Sequence, residues 1–281
     1  MMPVSEKIKH ITLFTKRLMR LNLLGHSRSL VKGSGLEFDQ LRDYQIGDDV
    51  RAIDWNSSAR MNKLLVKQFN DERHRTLIIA LDISASSFYG SQDVLKQTIL
   101  SQIAALISYA GFLGKDEVGL ILFSDQVECY IPMRKGKAHI QLILEKIFSA
   151  QKKNCATSLA CALDHIIKLR KKNAMVFLIS DFIDEGFDQK LSLCAQLCDV
   201  IAIRMLDAAE RNFPADGLIT VKDSESDQIN VISSRSMSAV LQQRADYQKK
   251  ILNSYRVDVL DVSYTVQPLE QLIHFFRIRD R

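Results

Sequence analysis

The sequence predicts an α/β protein: a mainly parallel central sheet with helices on both faces, preceded by a small β-rich extension. Three observations carry this expectation. T-L-I-I-A-L-D (76–82) and M-V-F-L-I-S-D (175–181) are near-continuous apolar runs, the pattern of strands covered on both faces. From Thr76 onward, strand-like runs alternate with helix-like stretches, which implies parallel strands joined by crossover helices. Residues 33–75 have a different character, dense in alternating charged and apolar positions. The chain therefore divides into residues 1–75, a helix plus a β-rich extension, and residues 76–281, the α/β domain.

Taken in order, residues 4–24 read as an amphipathic helix with Val4, Ile8, Ile11, Leu18 and Leu21 near one face. V-R-A-I-D-W and L-L-V-K-Q-F read as two strands joined by the polar turn N-S-S-A-R-M-N-K. Two strands alone are marginal, so this piece is expected to lean on the main domain. After the first buried strand, Val94, Leu95, Ile99, Ile103, Leu106, Ile107 and Ala110 mark a helix over 91–113, starting near Ser91 and stopping at Gly114. V-G-L-I-L-F-S and V-E-C-Y-I-P suggest a hairpin turning at Asp125 and Gln126. Helices are expected at 137–149 and 158–171, then the strand ending at Asp181, a helix at 188–197 and the strand V-I-A-I-R-M-L. A polar hairpin over 218–232, a helix over 235–254, the strand V-D-V-L-D-V and a last amphipathic helix complete the chain.

Composition narrows the function classes. With 281 residues, 47% hydrophobic and 25% charged, the chain reads as an ordinary globular protein able to bury a large core. The net charge of +5 is concentrated in residues 1–35, where seven basic residues stand against Glu6. Global basicity is thus no argument for nucleic acid, and no nucleic-acid partner is expected. The basic segment leaves open peripheral contact with an anionic membrane or docking to a partner. Five cysteines (Cys129, Cys155, Cys161, Cys194, Cys198) form no C-x-x-C pair, so reduced thiols and a cytoplasmic location are expected. No apolar stretch approaches the ~20 residues that span a bilayer, and no signal-peptide pattern opens the chain.

In open α/β sheets, ligands bind outside the carboxyl ends of the strands. Asp82 and Asp181 each end an apolar strand, Ser84 and Ser86 follow the first, and Thr157 stands at the start of a helix in N-C-A-T-S-L-A-C-A-L. Singly, each has an ordinary structural use as a cap or turn former. Together they supply only oxygen ligands, which suits Mg²⁺ or Mn²⁺. Neutral hydroxyls position an ion without cancelling its charge, so an Asp or Glu from a partner would complete the shell.

The motif R-D-Y-Q-I-G-D-D-V-R-A-I-D-W contributes Arg42, Tyr44, Gly47, Asp48, Asp49, Arg51, Asp54 and Trp55. Its carboxylates and guanidiniums are enough for bidentate pairs that lock a hairpin, with a partner-binding face as the other reading. Trp55, the only tryptophan, is expected as an anchor with its indole N–H satisfied locally.

D-I-S-A-S, a later threonine and an aspartate ending a further strand resemble the metal-ion-dependent adhesion site of von Willebrand factor A domains. G-L-E-F-D-Q-L-R-D-Y-Q-I-G-D-D-V-R-A-I-D-W, T-S-L-A-C-A-L, L-I-S-D-F and L-D-A-A-E at 206–210 resemble the bacterial family called domain of unknown function 58. The resemblance implies a von Willebrand A-like fold and an ion site of Asp82, Ser84, Ser86, Thr157 and Asp181. It also implies a non-catalytic role as adaptor or co-chaperone of a MoxR-type AAA+ ATPase acting on a client protein. Two departures stand out: Asn154, Cys155 and Ala156 precede the threonine where glycines are common, and Phe182 follows Asp181 where glycine is common. The alternative is a metal-dependent phosphohydrolase using Asp82 as nucleophile. In phosphatases of the haloacid dehalogenase type the second position after the nucleophile is an acid, and here it is Ser84. No G-x-S-x-G elbow and no G-x-x-x-x-G-K phosphate loop is present.

Overall fold

The computed structural model describes residues 37–70, 75–88, 95–151, 156–205, 218–222, 229–264 and 266–279. The helix expected over 4–24 lies outside these residues. Of the described residues, 37–70 belong to one compact unit and those from Arg75 onward to a second.

In the larger unit the two apolar runs lie side by side as β3 (Thr76–Asp82) and β6 (Met175–Ser180), parallel, with Leu77 opposite Met175 and Leu81 opposite Ile179. On one side of this pair lie β4 (Glu117–Phe123) and β5 (Val127–Arg134); on the other, β7 (Asp199–Met205) and β10 (Asp258–Val262). The order across the sheet is β10-β7-β6-β3-β4-β5, and only the β4–β5 pairing is antiparallel. The expected hairpin at Asp125 is that edge pair. A separate antiparallel pair, β8 (Leu218–Lys222) and β9 (Ile229–Ser233), forms the polar hairpin read from 218–232.

Continuous apolar runs are needed because both sheet faces are covered. Along β3, Leu77, Ile79 and Leu81 join one core cluster while Ile78 and Ala80 join the other, as the two-residue period of a strand requires. The first core receives α2 (Lys96–Leu113), α3 (Lys137–Ser149) and α7 (Pro268–Arg279); the second receives α4 (Leu159–Lys168), α5 (Asp188–Leu197) and α6 (Ser234–Ser254). Gly111 lets α2 sit close to the sheet: a Cβ there would lie 2.4 Å from Leu77 Cδ1 and 2.9 Å from Val118 Cγ2.

The smaller unit corrects the sequence reading. Its sheet pairs β1 (Glu37–Asp43) with β2 (Leu65–Asn70), antiparallel. V-R-A, expected in a strand, is a 3₁₀ turn (Val50–Ala52), and the expected polar turn is helix α1 (Trp55–Met61). Capping explains both. Asp49 Oδ1 accepts from the Arg51 amide at 2.9 Å, and Asp54 accepts from the Ser57 amide and hydroxyl at 3.4 and 3.0 Å. These bonds satisfy amides that a strand would have left to the ladder. Only Ile53 keeps a bridge, to Val66.

Replacing Ile79, fully buried in β3, with alanine removes core volume that rigid neighbours cannot refill. Ile79→Ala should lower unfolding free energy by about 2–5 kcal/mol, read from urea denaturation of the full chain.

Candidate functional site

At the carboxyl edge of β3 and β6 the chain turns away from the sheet, and the five residues singled out there fall into one neighbourhood. Asp82 and Asp181 are completely buried, as is Ser84, and Thr157 is nearly so. The Ser84 and Ser86 hydroxyls are 3.0 Å apart, and Ser86 Oγ is 3.5 Å from Thr157 Oγ1. These contacts join the loop after β3 to the segment before α4.

The ordinary uses of these side chains are only partly realised. Thr157 does not cap α4; Ser158 does, its hydroxyl accepting from the Cys161 amide at 3.3 Å. Asp82 does organise its own turn, with Oδ1 accepting from the Ser84 amide at 2.8 Å. Its Oδ2 accepts a 2.6 Å bond from the Ser180 hydroxyl, which in turn accepts from the Phe182 amide at 3.0 Å. Asp181 Oδ1 accepts from the Ile183 amide at 3.2 Å, while Oδ2 is buried without a hydrogen-bond partner. Among the described residues the nearby positive charge is Lys96 Nζ, 3.9 Å from that oxygen and itself buried.

Electrostatics follow from this burial. Desolvation first, and the Asp181 charge second, push the Asp82 carboxyl up to about 7; the bonds from Ser180 and Ser84 pull the other way. Two carboxylates this poorly hydrated favour a cation between or beside them.

The surrounding loop is held from three directions. Phe182 occupies the left-handed region, with φ of 59°, where glycine would be unstrained. It is fully buried, and its ring meets Phe187 edge-on at 6.3 Å. The Asp184 carboxylate accepts from the Leu159 amide at 2.7 Å, tying this loop to the start of α4 just beyond Thr157, and burial raises the Asp184 pKa. Gln248 on α6 donates to the Phe182 carbonyl at 2.6 Å and accepts from Arg204, whose guanidinium forms a bidentate pair with Asp261 at 2.8 and 3.1 Å.

Ser180 and Lys96 are residues of this candidate site that sequence reasoning missed. Ser180 was hidden inside an apolar strand run. A single lysine in D-V-L-K-Q carries no signal of burial, and only the fold places it beside Asp181.

The second motif has a local architectural role in the smaller unit. Arg42 grips Asp48 with two 2.6 Å bonds, and Asp48 also accepts from the Gln45 amide. Gly47 takes φ of 107° at the tip of this turn, a conformation closed to other residues. The Tyr44 amide donates to the Leu64 carbonyl, and Arg51 enters through its capped amide. Trp55 departs from expectation: it starts α1 and is 63% exposed, so it is not a buried anchor. Ile46, Val50, Met61 and Leu64 are exposed as well.

Among the described residues no helix is long and apolar enough to cross a membrane, and no group of three or more His, Cys, Asp or Glu side chains is placed to hold a metal ion. The family model described as a protein of unknown function, DUF58, matches residues 40–256. Uncharacterized proteins of Mycobacterium tuberculosis and Mycobacterium bovis are 27% identical over 226 residues, covering 79% of this chain and 71% of theirs. The uncharacterized protein YeaD of Bacillus subtilis is 27% identical over 107 residues, covering 38% of this chain and 25% of its own. Among solved structures, the conserved hypothetical protein BatB of Bacteroides thetaiotaomicron aligns with 73% of this chain and 98% of its own, at 15% identity and a TM-score of 0.47.

The raised Asp82 pKa fixes a sign for stability. Below the unfolded value of about 3.8 the group is neutral in both states and costs nothing. As pH rises toward about 7 the unfolded chain ionises first, so stability falls, levelling off above the folded pKa with a loss of at most roughly 4 kcal/mol. In chelator, Asp82→Asn should therefore be more stable than the parent at pH 8, the advantage vanishing near pH 4. Urea midpoints across that range measure it.

Proposed function

The chain belongs to the DUF58 family, and on that premise we propose that it is a non-catalytic, metal-assisted protein-interaction module with a von Willebrand factor A-like fold. In this reading it is a cytoplasmic adaptor or co-chaperone of a MoxR-type AAA+ ATPase and presents a client protein to it. The observation that carries the reading is the Asp181 Oδ2 oxygen, buried without a hydrogen-bond partner at a sheet edge lined by three clustered hydroxyls.

The donor set fits Mg²⁺ or Mn²⁺. Hard divalent ions take oxygen ligands and keep waters, and a carboxylate oxygen that no amide satisfies is the natural direct ligand. Ser84, Ser86 and Thr157 offer neutral oxygens that orient the ion. Asp82, with both oxygens already accepting hydrogen bonds, acts best through water. When bound, the ion supplies an electrophilic position for a carboxylate from another protein. The same two bonds to Asp82 disfavour its use as a nucleophile, and Ser84 provides no acid beside it. The two sheet-bound aspartates, the strand-end D-I-S-A-S turn and the antiparallel edge strand of an otherwise parallel sheet support the likeness to A domains.

The test uses the full chain with a MoxR-type ATPase from the same organism. Binding should tighten at least tenfold with Mg²⁺ over chelator, and Asp82→Ala or Asp181→Ala should remove that difference while leaving a folded protein by circular dichroism. Equal binding in chelator, in Mg²⁺ and in both variants would sink the ion-bridge reading.

A further inference from the structure

Lys96 is the first residue of α2 and only 1% exposed. That placement is costly twice over. A buried ammonium loses its hydration, and the amino end of a helix repels a cation. Asp181 offsets this cost at 3.9 Å, a separation beyond hydrogen-bond range. The ammonium therefore neutralises the carboxylate without capping its oxygen, and Asp181 Oδ2 keeps its lone pairs.

An ion bonded to that oxygen at about 2.1 Å can lie no farther than about 6 Å from Lys96 Nζ, because the two separations add at most end to end. In a desolvated pocket, charges at that distance interact strongly. Resting on the ion-site reading above, we propose that Lys96 is the built-in cation of this site and determines what the site takes. It weakens affinity for the divalent ion and makes the loaded site select a carboxylate.

Charge counting over the described side chains gives the reason. With both aspartates ionised, Asp82, Asp181 and Lys96 carry a net single negative charge. A divalent ion turns this into a net single positive charge, which one external carboxylate neutralises. Without Lys96 the loaded site is already neutral, and a neutral ligand such as water competes on better terms. The lysine thus exchanges metal affinity for anion selectivity, a use of repulsion to set specificity.

The experiment is Mn²⁺ titration of the full chain by electron paramagnetic resonance, followed by acetate added to the Mn²⁺-loaded protein. K96M should bind Mn²⁺ about tenfold or more tightly than the parent and hold acetate correspondingly less well. K96R, which keeps the charge, should follow the parent in both arms. K96Q serves as a second neutral variant should methionine not be accommodated. Equal Mn²⁺ affinity in the parent and a folded neutral variant overturns the role of Lys96 while leaving the ion site standing. Absence of Mn²⁺ binding from the parent and every variant overturns the ion site itself. Tight binding by K96M with unchanged acetate affinity overturns the selectivity.

Discussion

Two carboxylates buried at the ends of neighbouring parallel strands are the constraint around which the rest of the site is arranged. Asp82 and Asp181 have no exposed surface, and an ionised group in that position is stable only with partners. Each partner comes from a different part of the chain: the Ser180 hydroxyl from β6, the Ser84 and Ile183 amides from the loops, and the Lys96 ammonium from α2. Burial and the Asp181 charge nonetheless push the Asp82 carboxyl up. The buried pair therefore creates a demand for positive charge. That demand, more than any single ligand distance, gives the strand ends their chemical character.

The loop after β6 is strained for the sake of this arrangement. Phe182 holds a positive φ that a large side chain adopts at a cost, and burial against Phe187 offsets it. Its carbonyl is fixed by Gln248, and Gln248 by Arg204, so a chain of polar contacts runs from Asp261 on the edge strand through three elements to the residue beside Asp181. Arg204 is nearly buried within β7. An arginine in the run V-I-A-I-R-M makes sense only as a member of this chain. A buried network of this kind is stabilising when every member is satisfied, and it rigidifies what it touches. Here it touches the turn that aims Asp181.

The fold was legible where the sequence obeys one rule at a time. The runs ending at Asp82 and Asp181 are apolar throughout because both sheet faces are covered, as they are for the other internal strands β4 and β7. The helix over 137–149 shows its period for the opposite reason, since it buries one face, through Ile140, Ile143, Leu144 and Ile147, whereas the helix over 96–113 is buried on nearly every side. Legibility failed in the smaller unit, where V-R-A-I-D-W alternates like a strand but is folded by its aspartates. The signal was present: Asp54 precedes Ser57 by the three residues a cap requires. The strand that does pair with β2 is β1, which is irregular, with a register shift between Phe38 and Gln40. In the site, D-I-S-A-S, Thr157 and Asp181 could be assembled from their places at two strand ends and a helix start, together with the resemblance to an adhesion-site motif. Lys96 and Ser180 could not, because each is brought to the carboxylates by register and helix placement, which no local pattern encodes.

The identity of the α4 cap decides how the hydroxyl cluster should be understood. Had the threonine been there to start the helix, its oxygen would face the first-turn amides, and the serines across the gap would be incidental. Ser158 performs that task instead, and Asp184 takes the Leu159 amide. With the helix start satisfied twice over, Thr157 is released to face Ser86. A chain that supplies two other groups for one helix terminus, and turns its spare hydroxyl toward two more beside a pair of buried carboxylates, has placed those oxygens for something outside the helix. Hydroxyls are weak ligands singly and add no charge, so their value lies in fixing direction, while Asp82, Asp181 and Lys96 fix the charge. In the proposed ion site that division would separate where an ion sits from how strongly it is held, and would let the second be tuned at Lys96 without disturbing the first.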